Sequence, residues 1–388
     1  MLAVPSSFKQ TVAFVRDIYQ TQDFIPLHAP RFKGNEARYV LDCLESTFVS
    51  SVGQYVNDFE KRVCAYTGAP YAIATVNGTA ALHLALLLAN VRPGDLVITQ
   101  PLTFVATANA IAYTGATPVF LDVDQDTLGL SPEALQDFLQ AHCQLDDAGH
   151  CIHQSTGKRV VACVPMHTFG HAARIETIAQ LCTAHRIALV EDAAEAMGSR
   201  KNDTHLGTFG PLGTLSFNGN KIITCGGGGM ILTHDEALAQ RAKHLTTQAK
   251  VPHPWEYVHD AIGYNYRLPN LNAALACAQM EELDDFVTAK RALAVQYSDF
   301  FAAPDRPTFV TEPEGSCSNY WLNAVLLDDL AERDLFLQYT NDQGVMTRPA
   351  WRLIHRLPLF PDAIVQPLPN AEWLEARLVN LPSSVPDR

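Results

Sequence analysis

Ile187-Ala188-Leu189-Val190-Glu191-Asp192-Ala193-Ala194-Glu195-Ala196 is the stretch from which the fold is read. Its four apolar residues read as a buried strand, and two acids stand at the carboxyl end. In a parallel α/β sheet, ligands bind outside the carboxyl ends of the strands. Asp192 is therefore placed to meet one. The same position also suits a helix N-cap.

Downstream lies Leu215-Ser216-Phe217-Asn218-Gly219-Asn220-Lys221-Ile222-Ile223, followed by glycines at 226–229. One lysine ends a small polar turn with apolar residues on both sides. A lysine held away from water gives up its proton more readily, and its free amine attacks carbonyls. This is the setting of a Schiff-base lysine, whose usual partner is pyridoxal phosphate (PLP). A solvated turn lysine is the plainer alternative. Asp192 tips the balance, because a carboxylate there can hold a protonated pyridine nitrogen and keep the ring an electron sink.

Upstream, a strand over 71–76 runs into Asn77-Gly78-Thr79 and a helix from Ala80. Amides at a helix N-terminus, with the Thr79 hydroxyl, can cradle a phosphate, although Gly-Thr also serves simple capping. A strand over 96–100 leads to Thr103-Phe104-Val105, where Phe104 either stacks on a planar ring or belongs to the core. Further strands are expected at 117–121 and 160–164, the latter ending near His167, with helices at 132–141 and 175–185 between and beyond them. This alternation predicts a mostly parallel sheet covered by helices. Gly226–Gly229 lead into a returning strand. Residues 143–158 read as a polar excursion, and residues 269–303 as one long helix. Prolines at 304, 307 and 313 mark a change to short elements. The expected organisation is a lead-in over 1–32, a large α/β domain over 33–268, and a linking helix with a small C-terminal α+β domain over 269–388. The loop Ser46-Thr47-Phe48-Val49-Ser50-Ser51-Val52-Gly53 is either a substrate or subunit-contact loop or a plain connection.

The chain has 388 residues, 47% hydrophobic and 18% charged, the make-up of an ordinary globular protein. A net charge of −13 argues against nucleic acid or an anionic membrane as partner. Nine cysteines lie without CxxC pairs or metal-ligand spacing, so reduced thiols in a cytoplasmic protein and no metal are expected. No membrane-spanning run is read.

These residues together resemble the sugar aminotransferases of the DegT/DnrJ/EryC/StrS family, PLP enzymes of fold type I. The likeness runs from about residue 24 onward. It rests on Asn77-Gly78-Thr79-Ala80-Ala81-Leu82-His83, Thr103-Phe104-Val105-Ala106-Thr107-Ala108-Asn109, Glu191-Asp192-Ala193-Ala194, Ser216 to Lys221, and Gly263-Tyr264-Asn265-Tyr266-Arg267. Phe24 to Pro30, Ser46 to Gly53 and Gly344-Val345-Met346-Thr347-Arg348-Pro349-Ala350-Trp351 look like one branch of it. That branch aminates C4 of a UDP-linked 4-keto-6-deoxy-N-acetylhexosamine, as in legionaminic-acid pathways.

The resemblance implies that Lys221 joins the cofactor and shuttles the proton, with Asp192 on the pyridine nitrogen. Gly78, Thr79 and Ser216 would hold the phosphate, and Phe104 would cover one ring face. Asn265 would reach the phosphate in the partner subunit of a homodimer. Glu195 stands where many relatives carry glutamine or histidine near the ring hydroxyl. A carboxylate beside a phenolate is unfavourable unless one is protonated. His167, Tyr320, Arg348 and His355 are candidates for the nucleotide-sugar side. L-glutamate is the implied donor. Relatives that are dehydratases replace the lysine with histidine, which Lys221 argues against. The alternatives are C3 amination of a dTDP-3-keto-6-deoxyhexose, or a catalytically silent sensor or partner subunit.

Overall fold

The computed structural model describes residues 4–386. Seven strands of its main sheet come from the first two-thirds of the chain: β1 Tyr71–Thr75, β2 Leu96–Thr99, β3 Thr117–Phe120, β4 Val160–Val164, β5 Ala188–Asp192, β6 Leu212–Ser216 and β7 Gly229–Thr233. They lie in the order β1-β7-β6-β5-β4-β2-β3, and a late strand, Ile364–Val365, completes the edge beside β3. The pairs from β6 through β5, β4, β2 and β3 to Ile364–Val365 are parallel. β7 is antiparallel to both β6 and β1, the return expected after the glycines.

Period-2 alternation divides the strand residues between two cores. Val97, Ala162, Val164, Val190 and Leu212 meet the helices Gly78–Leu88, Val105–Tyr113 and Glu236–Thr246. Ile98, Cys163 and Leu189 meet the helices Pro132–His142 and Ile175–Ala184 on the other face. Both faces are thus covered, which is why these strands read as unbroken apolar runs. The carboxyl ends of β5 and β6 stay open to the site.

Three stretches differ from their reading. The polar excursion over 143–158 holds a hairpin, Cys143–Leu145 with Cys151–His153. The helix over 269–303 is two helices, Asn270–Glu281 and Leu283–Phe301, joined at Glu282. There the Glu282 amide donates to the Gln279 carbonyl, a three-residue step that tightens the last turn. No helix follows Asp192 directly, so its N-cap reading falls.

A second, four-stranded sheet is antiparallel, ordered Thr308–Phe309, Asn323–Leu326, Leu378–Leu381, Arg348–Pro349. Phe8, Val12 and Val15 of the first helix, Ser6–Tyr19, share its core with Leu293, Tyr297 and Phe336. The extended segment that follows bridges Ile25 to Val345. Among the described residues no helix is long and apolar enough to cross a membrane, and the cysteines are free thiols.

Gly213 in β6 has no room for a side chain, since a Cβ there would run into the Gly207 backbone. Gly219 faces open space. Gly213→Ala is expected to cost about 2 kcal/mol or more through overpacking that backbone cannot relieve. Gly219→Ala is expected to stay within about 0.5 kcal/mol of wild type. Chemical denaturation midpoints check both.

Candidate active site

Alternation along β5 sends its two acids to opposite sides. Glu191 has no solvent access and accepts from the amides of Gly207 (2.9 Å), Phe209 (2.7 Å) and Gly210 (2.8 Å). Asp192 faces a cavity of about 330 Å³. Its Oδ2 accepts from the Thr107 hydroxyl at 2.7 Å, and its Oδ1 from the Ala194 amide at 3.2 Å. Burial raises the Asp192 carboxyl above its ordinary range, while those donors and the Lys221 charge oppose the rise.

The loop after β6 brings Lys221 to the same cavity. Its Nζ lies 3.2 Å from Glu195 Oε1 and 4.0 Å from the centroid of the Trp321 ring. The other Glu195 oxygen accepts from the Phe169 amide at 2.9 Å. Burial pushes Glu195 up to about 7, with the Lys221 ammonium pulling it down.

Asn77 caps the helix Gly78–Leu88, its side chain accepting from the Ala80 amide at 2.8 Å. The Ala81 amide goes to the Asn77 carbonyl. Gly78 and Thr79, the first two helical residues, line the cavity beside Ser216. A Cβ on Gly78 would stand 2.9 Å from Ser216 Cβ, so only glycine lets the two elements close up here. Phe104 also lines the cavity and is 53% exposed, which removes its core reading.

This donor set fits PLP. Helix-terminal amides and a serine hydroxyl suit a phosphate dianion, a buried carboxylate suits a pyridinium nitrogen, and an amine suits an aldehyde. A family model for the DegT/DnrJ/EryC1/StrS aminotransferases matches residues 30–386.

The chain belongs to this family.

It is a PLP-dependent sugar aminotransferase. It is 37% identical over 360 residues to the GDP-perosamine synthase of Escherichia coli O157:H7, covering 93% of each chain. It is 38% identical over 341 residues to EpsN of Bacillus subtilis strain 168, to which a PLP-dependent aminotransferase activity is ascribed, covering 88% of this chain and 84% of that protein. Among solved structures, the aminotransferase TlmJ from Streptoalloteichus hindustanus superposes with a TM-score of 0.84 at 28% identity, over 93% of each chain.

Within this aminotransferase the four candidates for the sugar side do not line the cavity. His167 is fully buried on the Glu191 side, accepting from the Ala173 amide at Nδ1 and donating from Nε2 to Glu191 Oε2 at 3.1 Å. With both nitrogens committed it has none left for substrate. The Tyr320 hydroxyl accepts from the Glu312 amide at 3.0 Å, and its ring packs against His171. Arg348 is exposed in the antiparallel sheet, beside Asp334 and Gln338. His355 sits in the short helix Ile354–Arg356 with a buried Nδ1 that has no protein partner. Asn265 is exposed, bridged to Thr247, and lies outside the cavity of its own chain.

Sequence reading passed over Trp321 and gave Trp351 no role, yet both line the cavity. His28 is also felt there: burial holds its imidazole well below the ordinary histidine range, and the charges of Lys290 and Lys221 add to the effect.

The raised Glu195 carboxyl makes stability depend on pH. Folded protein keeps this proton up to about pH 7, whereas an unfolded chain releases it near 4.5. The contribution is therefore full below about 4.5 and is lost as pH rises through about 7. In cofactor-free protein, wild type is expected to lose a few degrees of melting temperature relative to Glu195→Gln across that window. Parallel melting curves would remove this assignment.

Proposed function

We propose that the enzyme transfers the amino group of L-glutamate to C4 of a nucleotide-linked 4-keto-6-deoxyhexose, in the making of a bacterial surface sugar. The observation that carries the reading is the meeting of Lys221, Asp192, Gly78 and Ser216 in one cavity. Among the described residues lining it, Lys221 is the one amine.

Bound PLP supplies a carbonyl that exchanges its oxygen for the donor's amine, and a ring that takes up the electrons of the broken C–H bond. Gly78, Thr79 and Ser216 would bind the phosphate, and Phe104 would cover one ring face. Asp192 would hold a positive charge at the ring nitrogen. Lys221 Nζ takes the proton from the α-carbon of glutamate and, in the second half of the cycle, delivers one to C4 of the sugar. Each half is acid–base work at one carbon, so one lysine serves both.

A UDP-linked N-acetylhexosamine substrate of the legionaminic-acid type is supported by the segments Phe24–Pro30, Ser46–Gly53 and Gly344–Trp351. The name of the E. coli relative supports a GDP-linked sugar instead. A panel of UDP- and GDP-linked 4-keto sugars and a dTDP-linked 3-keto sugar, assayed with glutamate and with product stereochemistry read by NMR, separates them. Product from the 3-keto sugar alone would overturn C4 amination. Lys221→Ala is expected to abolish turnover while the protein stays folded; turnover within tenfold of wild type would overturn the reading. Asp192→Asn is expected to slow turnover about 10²-fold or more, while PLP still binds.

The working unit is a homodimer in which Asn265 reaches the partner's phosphate site. Its exposure supports this, as does the exposed apolar surface around it, with Ile262 at 85% and Tyr257 at 82%. Lys221→Ala and Asn265→Ala chains should each be impaired as homodimers. Co-expressed, they form one intact site per mixed dimer and recover at most half of wild-type activity. With exchange verified by differential tags, activity equal to the average of the two parents would rule out the shared site.

A further inference from the structure

The chemistry above makes no use of Trp321, yet this residue is bound to both sides of the site. Its indole Nε1 donates to the Asn220 carbonyl at 2.6 Å, immediately before Lys221. Its amide donates to Asn319 Oδ1 at 2.8 Å, and Asn319 Nδ2 donates to the carbonyls of Glu195 and Met197, both at 2.9 Å. Tyr320, between them, takes a left-handed φ of 45°, which lets one turn grip the two loops. The indole is 4% exposed, and the Phe169 ring lies 6.5 Å from it. Phe169 is also the residue whose amide fixes Glu195.

Lys221 Nζ thus has the face of a buried indole 4.0 Å away and a carboxylate oxygen 3.2 Å away. An aromatic face carries negative potential and attracts an ammonium most where water is excluded. The other titratable groups acting on this nitrogen are Asp192, committed to Thr107 and Ala194, and His28 from the N-terminal segment.

We propose that Trp321 is a positioning residue whose indole face, together with the Glu195 Oε1 oxygen, docks the Lys221 ammonium when the lysine is not joined to the cofactor. The proposal rests on Lys221 as the cofactor lysine. Lysine has a flexible four-carbon stem, and an undocked amine must search for its reacting carbon in every half-cycle. Docking on a face fixed to the lysine's own loop removes that search.

The test uses the full chain freed of cofactor, with PLP added back and binding followed by visible absorbance across pH. The ammonium first gives one proton to solvent; the neutral amine then attacks the aldehyde carbon, and its two remaining hydrogens leave with the carbonyl oxygen as water, so the rate rises as the ammonium loses its proton. Trp321→Leu removes the face and should move the half-maximal pH down by about half a unit to one unit. Trp321→Phe, which keeps a ring, should restore most of that shift. Trp351→Leu, which removes another cavity aromatic, should not move it. Superimposed profiles for wild type and Trp321→Leu overturn the proposal. Should Trp321→Leu fail to fold, tryptophan emission of the cofactor-free wild type carries the test. It should step at the pH where the rate is half-maximal, and the step should vanish in Lys221→Ala; no step overturns the docking. A visible PLP band persisting in Lys221→Ala overturns the lysine assignment and this proposal with it. Superimposed profiles with that band absent overturn this proposal alone.

Discussion

A carboxylate without water needs donors from the protein, and Glu191 has four: three amides from 207–210 and the His167 ring. These charge-assisted bonds replace its hydration. They tie the end of β5 to the turn that enters β6 and to the segment that leaves β4. Successive side chains on a strand point to opposite faces, so fixing Glu191 on one side fixes Asp192 on the other. The cofactor-side acid is aimed by the acid beside it, which never meets the cavity.

The cavity is short of cationic side chains. Among the described residues lining it, the two carboxylates Asp192 and Glu195 face a single side-chain cation, Lys221. The chain as a whole carries −13. The oriented amides at the start of the helix Gly78–Leu88 can attract an anion instead, at short range and little affected by the net charge. On the proposed reading, this arrangement would leave the lysine free for proton transfer, since it would not be needed as the phosphate's counter-charge.

What could be read from the sequence was what is local. The apolar run before Glu191, the lysine loop and the Gly78-Thr79 turn each carry their meaning within ten residues, and the structure brings them to one cavity. Chemistry alone did not give placement. His167 follows a strand end, where a ligand-binding histidine would also stand, but its bond to Glu191 depends on which face that acid takes. Tyr320 and Trp321 are adjacent, yet the left-handed turn at Tyr320 leaves only Trp321 in the cavity. No local pattern marks a tryptophan 100 residues beyond its lysine. The step at Glu282 was equally hidden, because helical residues continue on both sides of it.

The strand Ile364–Val365 closes the main sheet against β3, although more than 240 residues separate them in the chain. Leu378–Leu381 likewise completes the small sheet whose core the helix Ser6–Tyr19 shares. On a ribosome, then, assembly runs out of step with synthesis. β3 emerges well before its edge partner and waits with a bare edge, the kind of surface that pairs with other chains, until residues 364–365 are made. The first helix waits longer still. Completion of the main sheet therefore waits on a segment made long after the strand it covers, and contacts of such wide sequence separation form slowly.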